Sequence, residues 1–417
     1  MQRKAFVLGG AHTPYIGKFH PDFIWKGHPD FGKRDNPSLG EYLRIIIPKA
    51  LAAAGVEARA IDKGIVANFA GELFSNQGHL GSVAVAADPA LDTKPFWRVE
   101  GACASGGIAL LSAVEAVKAG ADLVLVVGAE VQNTKNAKEG ADYLARAADY
   151  DAQRSIDPFT FPCLFARRAK AYREAYGMSE ETLAWVAVKA YANANKNPNA
   201  HMRTVKLDHE RAKVASDKNP VFLSNPEYKD YLKVSDCSQV SDGASALVVA
   251  SEEALERLGR SRDSVVEIAA CELATSSIVG PKSLVSLDNC KAAADRAYAR
   301  AGVNPDAIDV AEVHDCFSIT EVMLYEALGF AAQGQAQRLL LDGATQIDGR
   351  IPVNTGGGLI GFGHPVGATG VKHALEVFRQ MKGQCGDYQL AKTPQWGISA
   401  NIGGDDRTAV VTIYRNL

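Results

Sequence analysis

Short apolar runs alternate with longer, helix-spaced ones along most of the 417-residue chain. Residues 5–8 read as a buried strand, and a Gly- and Pro-containing loop follows to Pro37. Ser38 and Glu41 have capping-box spacing ahead of an apolar run to Ala54, and Gly55 is placed to end that helix. Residues 61–67 predict a turn entering a strand, 96–100 an extended segment, and 108–117 a helix stopped near Gly120. Residues 123–128 are apolar without interruption, which suits a central strand covered on both faces. Residues 242–250 return to that texture. Ser251 then caps a short helix over 252–258, and 265–271 opens a second series of strands. Strands alternating with helices predict an α/β fold in which helices cover the sheets.

Two features divide the chain. From 131 to 232 the texture turns polar, and Asp157-Pro158, Asn197-Pro198, Asn219-Pro220 and Asn225-Pro226 mark turns. This stretch holds 16 Lys and Arg against 13 Asp and Glu, a local positive surplus in a chain of net charge −3. Such a surplus suits a phosphate-bearing cofactor or simply a solvated helical face, and charge alone does not separate the two. The second feature is a repeat. Ala54-Gly55-Val56 with Ala60-Ile61-Asp62 recurs, 247 residues later, as Ala301-Gly302-Val303 with Ala307-Ile308-Asp309. The expected organisation is an N-terminal half (1–130 plus 233–260), an inserted loop domain (131–232) and a C-terminal half (261–417).

Composition narrows the class. The chain is 47% hydrophobic and 22% charged, an ordinary globular balance. Its small net charge gives no reason to expect nucleic acid or an anionic membrane as partner. The seven cysteines are scattered, odd in number and free of CxxC pairs, which argues against a disulfide framework and against a zinc site, so no metal is expected. No run approaches the roughly 18 apolar residues of a membrane span. Met1 to Gly10 lacks a signal-peptide core, and Arg415-Asn416-Leu417 is not a peroxisomal signal, so the expected location is the cytoplasm.

Candidate chemistry sits at three places. Gly101-Ala102-Cys103-Ala104-Ser105-Gly106-Gly107 puts a thiol at a strand-to-helix corner. Unpaired helix N–H groups there favour a thiolate and can bind an oxyanion. By itself this stretch fits a nucleophile or a buried structural thiol equally well. His314-Asp315-Cys316-Phe317 ends a predicted strand, where residues two apart point to one side, so His314 and Cys316 share a wall with Asp315 turned away. A chance polar strand end is the plain alternative. Ser318 and Glu321 have capping-box spacing for the helix that follows. The third place is the glycine-rich run from Asn354 to His364, which lacks the Gly-Lys-Ser/Thr ending of a phosphate loop. It precedes a helix whose Val371, Leu375, Phe378 and Met381 predict one apolar face. Residues 396–405 read as a strand entering a glycine turn.

Together these residues resemble the thiolase superfamily over nearly the whole chain. Ala-Cys-Ala-Ser-Gly-Gly around Cys103 resembles the acylated cysteine, and Gly-His-Pro-x-Gly-Ala-Thr-Gly around His364 resembles the thiolase histidine motif. His314-Asp315-Cys316-Phe317 resembles the sterol-carrier-protein-2 type, where most other thiolases have Asn-Glu-Ala-Phe. Where many thiolases carry a second acid/base cysteine, this chain has Asn401, so the resemblance shifts that role to Cys316. It implies a five-layer α-β-α-β-α fold of two pseudo-repeated halves with an inserted loop domain. It also implies a homodimer or homotetramer, coenzyme A or acyl-CoA as substrate, and no tightly bound cofactor.

The roles implied are Cys103 as nucleophile, His364 as its base, Cys316 as acid/base, and His314 with His364 as donors to the thioester oxygen. The Cys103 and Gly403 N–H groups would hold the oxyanion, and Ser238 would lie near the pantetheine arm. The activity expected is an acetyl-CoA C-acyltransferase: reversible Claisen condensation and thiolysis of 3-ketoacyl-CoA. The alternatives are a carbon–carbon lyase of the same fold, or an acyl-CoA-binding scaffold, working with a small partner protein.

Overall fold

The computed structural model describes residues 3–417, so Met1 and Gln2 of the expected N-terminal half lie outside it. Its strands are β1 (Ala5–His12), β2 (Lys63–Ala67), β3 (Phe96–Val99), β4 (Leu123–Glu130), β5 (Gly243–Ser251), β6 (Val266–Thr275), β7 (Val310–Val313), β8 (Trp396–Gly403) and β9 (Thr408–Asn416). The helices of ten residues or more are α1 (Leu39–Ala54), α2 (Ser105–Lys118), α3 (Thr160–Tyr176), α4 (Glu180–Ala194), α5 (Asp288–Ala301), α6 (Ser318–Ala327) and α7 (Thr369–Met381).

The strands run in the order β3-β2-β4-β5-β1-β6-β9-β8-β7. The run β2-β4-β5-β1 is mirrored by β7-β8-β9-β6, and the halves join where β1 pairs antiparallel with β6. The sequence repeat falls on equivalent elements. Gly55 and Gly302 end α1 and α5 at φ +61° and +69°, the left-handed region that glycine enters without penalty. A 3₁₀ turn follows each, at Ala58–Ala60 and Pro305–Ala307, and then β2 or β7.

Alternation along the strands builds the layers. Leu123, Leu125 and Val127 of β4 pack with α1, while Val124 and Val126 face α2 and α7. In the second half, Val410 and Tyr414 of β9 face that same middle layer, while Val411 and Ile413 pack outward with α5 and α6. The result is five layers: α1, the first half-sheet, α2 with α7, the second half-sheet, and α5 with α6.

The middle layer changes the expectation for α7. Every residue of α7 except Arg379 is buried, because sheets cover the helix on both sides. Several of its polar residues are paired inside the protein, as Lys372 is with Glu312 at 3.0 Å, whereas neither ring nitrogen of His373 has a hydrogen-bond partner among the described residues. The two central helices approach through glycine: a Cβ on Gly106 would fall 2.6 Å from the Gly370 nitrogen.

The capping box expected at Ser318 does not form, whereas that at Ser38 does. Phe317 is the N-cap residue of α6. The Ser318 hydroxyl donates to Asp236 (3.0 Å), and the Glu321 carboxylate accepts from Lys189 (2.6 Å). In a buried helix start, partners from other elements displace the local cap.

Residues 131–242 contain no strand in the described structure, and α3 and α4 pack against α6 and the second half. The buried Arg168 of α3 bonds to Asp405 and to the carbonyls of Ser283 (3.0 Å) and Ser286 (3.1 Å). The segment carried by the first half is thus tied to the turn after β8. No described helix is long and apolar enough to cross a membrane.

Candidate active site

Cys103 stands between β3 and α2. The turn is made by the residue before it: Ala102 has φ +52°, and the Ser105 hydroxyl accepts from the Gly101 N–H (3.0 Å) and donates to the Ala102 carbonyl (2.6 Å). His314 and Cys316 follow the end of β7. Asp315 turns away, as expected, and its carboxylate accepts from the Leu359 N–H at 2.6 Å. His364 precedes α7 by one short 3₁₀ turn, Val366–Ala368. Buried Glu130 steadies that corner: it accepts from the N–H groups of Gly367 (3.0 Å), Phe69 (2.9 Å) and Ala70 (3.1 Å).

These corners meet. The Cys103 sulfur and one ring nitrogen each of His314 and His364 all lie within 4.8 Å of one another. The two rings are edge to face, with centroids 5.0 Å apart. All three residues line one cavity of about 180 Å³, together with Cys316, Ser238 and Gly404. The other walls are apolar and come largely from the 131–232 stretch: Leu144, Phe159, Phe161 and Phe165, with Phe165 stacked on Phe317 at 4.6 Å.

The electrostatics differ from the expectation at Cys103. Burial, then the nearby Glu130 carboxylate, pushes the thiol up to about 12, and a hydrogen bond from the Gly404 backbone only partly opposes this. The start of α2 does not by itself make a thiolate, because desolvation outweighs the helix end. Burial also holds His364 down to about 3 and His314 well below its ordinary value, so both imidazoles are neutral. Cys316 is held well above the usual thiol range by burial, and next by proximity to Cys103.

The neutral His364 ring has a defined proton. Its Nδ1 lies 2.7 Å from the Thr369 hydroxyl, which itself donates to the Pro365 carbonyl (3.1 Å). Nδ1 is therefore the protonated nitrogen, and Nε2 keeps its lone pair. Thr369 lies within the motif quoted from the sequence, but nothing in the sequence marked it as the partner of His364.

Gly403 ends β8, paired with Thr408, and lies against Gly101 and Ala104 on either side of Cys103, while Gly404, at φ +63°, lines the cavity. Ser238 lines the cavity beside Cys316, its N–H donating to the Cys316 carbonyl at 2.9 Å.

Two pseudo-symmetric halves, five layers, and a thiol with two neutral imidazoles at the inner corners are the arrangement of the thiolase superfamily. Residues 30–253 match the family described as Thiolase, N-terminal domain, and residues 270–416 match Thiolase C-terminal domain-like. The chain belongs to the thiolase family. It is 36% identical over 370 residues to an acetyl-CoA acetyltransferase of Methanothermobacter thermautotrophicus, covering 88% of this chain and 91% of that one. It is 32% identical over 382 residues to sterol carrier protein 2 of Rattus norvegicus, covering 88% of this chain and 66% of that protein. Among solved structures, the Ltp2-ChsH2(DUF35) aldolase shares the fold with a TM-score of 0.77 at 22% identity, covering 98% and 97% of the two chains.

Proposed function

We propose that this protein is a thiolase-type acyltransferase that forms and cleaves 3-ketoacyl-CoA through an acyl-Cys103 intermediate. The observation that carries the reading is the meeting of the Cys103 sulfur with both imidazoles within 4.8 Å, in a cavity that Cys316 also lines.

Cys103 attacks the thioester carbonyl while its proton passes to the lone pair on His364 Nε2. The neutral thiol makes this base necessary, and such a base is worth roughly 10²–10⁴ in rate. The carbon–sulfur bond to coenzyme A breaks, and the departing sulfur takes the Cys316 proton. The Cys316 thiolate then removes the α-proton of a second acyl-CoA. The resulting enolate attacks the acyl carbonyl, and Cys103 leaves and recovers its proton from His364. Splitting the transfer through a covalent intermediate replaces one hard step with two easier ones. The Cys103 and Gly403 N–H groups hold the oxyanion in this reading, with the Gly404 N–H, which bonds to the Cys103 thiol, as a further donor beside them.

In this reading the 131–232 stretch is a loop domain that supplies the acyl pocket. Coenzyme A enters past Ser238, and no other cofactor is needed. The phenylalanine lining suits an apolar acyl chain. The assembly is a homodimer or homotetramer working in the cytoplasm. A coupled thiolysis assay over 3-ketoacyl-CoA substrates of increasing chain length tests the reading. Coenzyme A-dependent cleavage with acyl-CoA as product supports it. Cleavage that needs no coenzyme A and leaves no acyl-enzyme indicates the carbon–carbon lyase instead.

A further inference from the structure

Asn401, on β8, stands where many thiolases carry an acid/base cysteine, and an amide cannot carry protons in this range. Its place in the site is nonetheless closely defined. Its Oδ1 accepts from the Gly107 N–H at 3.0 Å, within the first turn of α2. Its Nδ2 donates to the Cys103 carbonyl at 2.9 Å. A backbone N–H only donates and a carbonyl only accepts, so these two groups fix which end of the amide points where. The same Nδ2 lies 3.0 Å from His314 Nδ1. The donor is Nδ2, so Nδ1 must present a lone pair. His314 is neutral, so its single proton is on Nε2, which has no partner among the described residues. His364 is the reverse, with its proton on Nδ1.

We propose that Asn401 is a positioning residue that holds His314 in the Nε2–H tautomer, opposite to that of His364. One ring then accepts the Cys103 proton while the other donates to the oxygen of the second acyl-CoA as enolate charge builds. The same amide grips the Cys103 carbonyl, so the nucleophile's backbone and the tautomer of His314 are set by one side chain.

The catalytic consequence rests on the thiolase reading, but the tautomer does not, and the two are measured separately. In protein carrying ¹⁵N-labelled histidine, long-range ¹H–¹⁵N correlation without substrate should show protonated Nε2 on His314 and protonated Nδ1 on His364. His314→Gln and His364→Asn variants assign the signals. In Asn401→Asp, one carboxylate oxygen still accepts from Gly107, but the other puts an acceptor against His314 Nδ1. The expected result is a proton on His314 Nδ1, with carbon–carbon bond formation slowed by roughly 10²–10³, the size of one lost oxyanion donor. Acylation of Cys103 by acetyl-CoA should fall less than carbon–carbon bond formation does, since the variant loses the bond to the Cys103 carbonyl but leaves His364 in place.

A proton on Nδ1 of His314 in the unmodified protein overturns the proposal, and that spectrum decides it even where the variant does not fold. An unchanged His314 in folded Asn401→Asp also overturns it. The predicted spectra in a protein without thiolase activity uphold the tautomer assignment and refute only the proposed function.

Discussion

The two halves of this molecule deliver their reactive groups from equivalent corners built to different depths. In the first half β3 ends at Val99, four residues before Cys103, and α2 begins at Ser105. In the second half the place of β3 is taken by a single parallel bridge between Val353 and Ala311, and ten residues of glycine-rich chain separate Val353 from His364. Cys103 is half-buried at a short corner, and His364 is buried at a long one. The short corner exposes a thiol to an incoming thioester. The long one buries an imidazole deeply enough to keep it neutral and lets Thr369 fix its proton. The repeated frame supplies the approach of the two helix starts, and in the proposed reading the difference between the corners separates nucleophile from base.

With Cys103 left in place, the largest expected effect comes from a residue that belongs to neither corner. Cys316→Ala should slow acylation of Cys103 by acetyl-CoA, where the departing thiolate loses its proton donor, by less than about 10-fold, yet cut carbon–carbon bond formation by roughly 10²–10⁴, measured as condensation rate against adduct formation. Equal loss in both steps would mean that the site does not divide the labour this way.

Desolvation, common to both corners, makes a second prediction. His364, held down to about 3, stays a neutral base as pH falls, and Cys103, pushed up to about 12, stays a thiol as pH rises. The pH profile of kcat/KM should therefore carry no His364 or Cys103 inflection between about 5 and 9; nearby Glu130, raised by burial to about 7, titrates in that range, and Glu130→Gln identifies its effect. An unshifted histidine near 6.5 would cost about 30-fold between neutrality and pH 5, and an inflection there that survives Glu130→Gln would show that the corner is wetter than described.

The smallest effect compares the two repeat glycines. A Cβ on Gly302 meets nothing within 4 Å, so Gly302→Ala should cost only the left-handed strain, about 1–2 kcal/mol. A Cβ on Gly55 would displace the Arg260 guanidinium, which bonds to the Ala54 carbonyl. Gly55→Ala should therefore cost about 1 kcal/mol more in denaturant unfolding. Equal costs would mean that the Arg260 contact contributes nothing.

Much of this was legible in the sequence. Cys103, His314, Cys316 and His364 stand out because each occupies an ordered corner whose glycines and caps are local signals, and the repeat gave the two halves. What escaped depends on contacts between elements. The end of β8, which leaves Gly404 lining the cavity, is set by pairing with β9. Ser318 and Glu321 carry a local capping pattern, but Asp236 and Lys189 reach them from distant parts of the chain. The helix end at Cys103 suggested a thiolate, whereas the covering layers decide its protonation. Asn401 was visible as a departure from the family pattern, but its grip on Gly107, Cys103 and His314 exists only once β8 lies beside the start of α2.

The most direct test is to incubate the protein with acetyl-CoA, quench, and map the acyl adduct by peptide mass spectrometry in the unmodified protein and in Cys103→Ser. The account predicts one acetyl group, on the peptide holding Cys103, lost together with at least about 10⁴-fold of activity in the variant. An adduct that persists in Cys103→Ser, or that maps to Cys316, contradicts it.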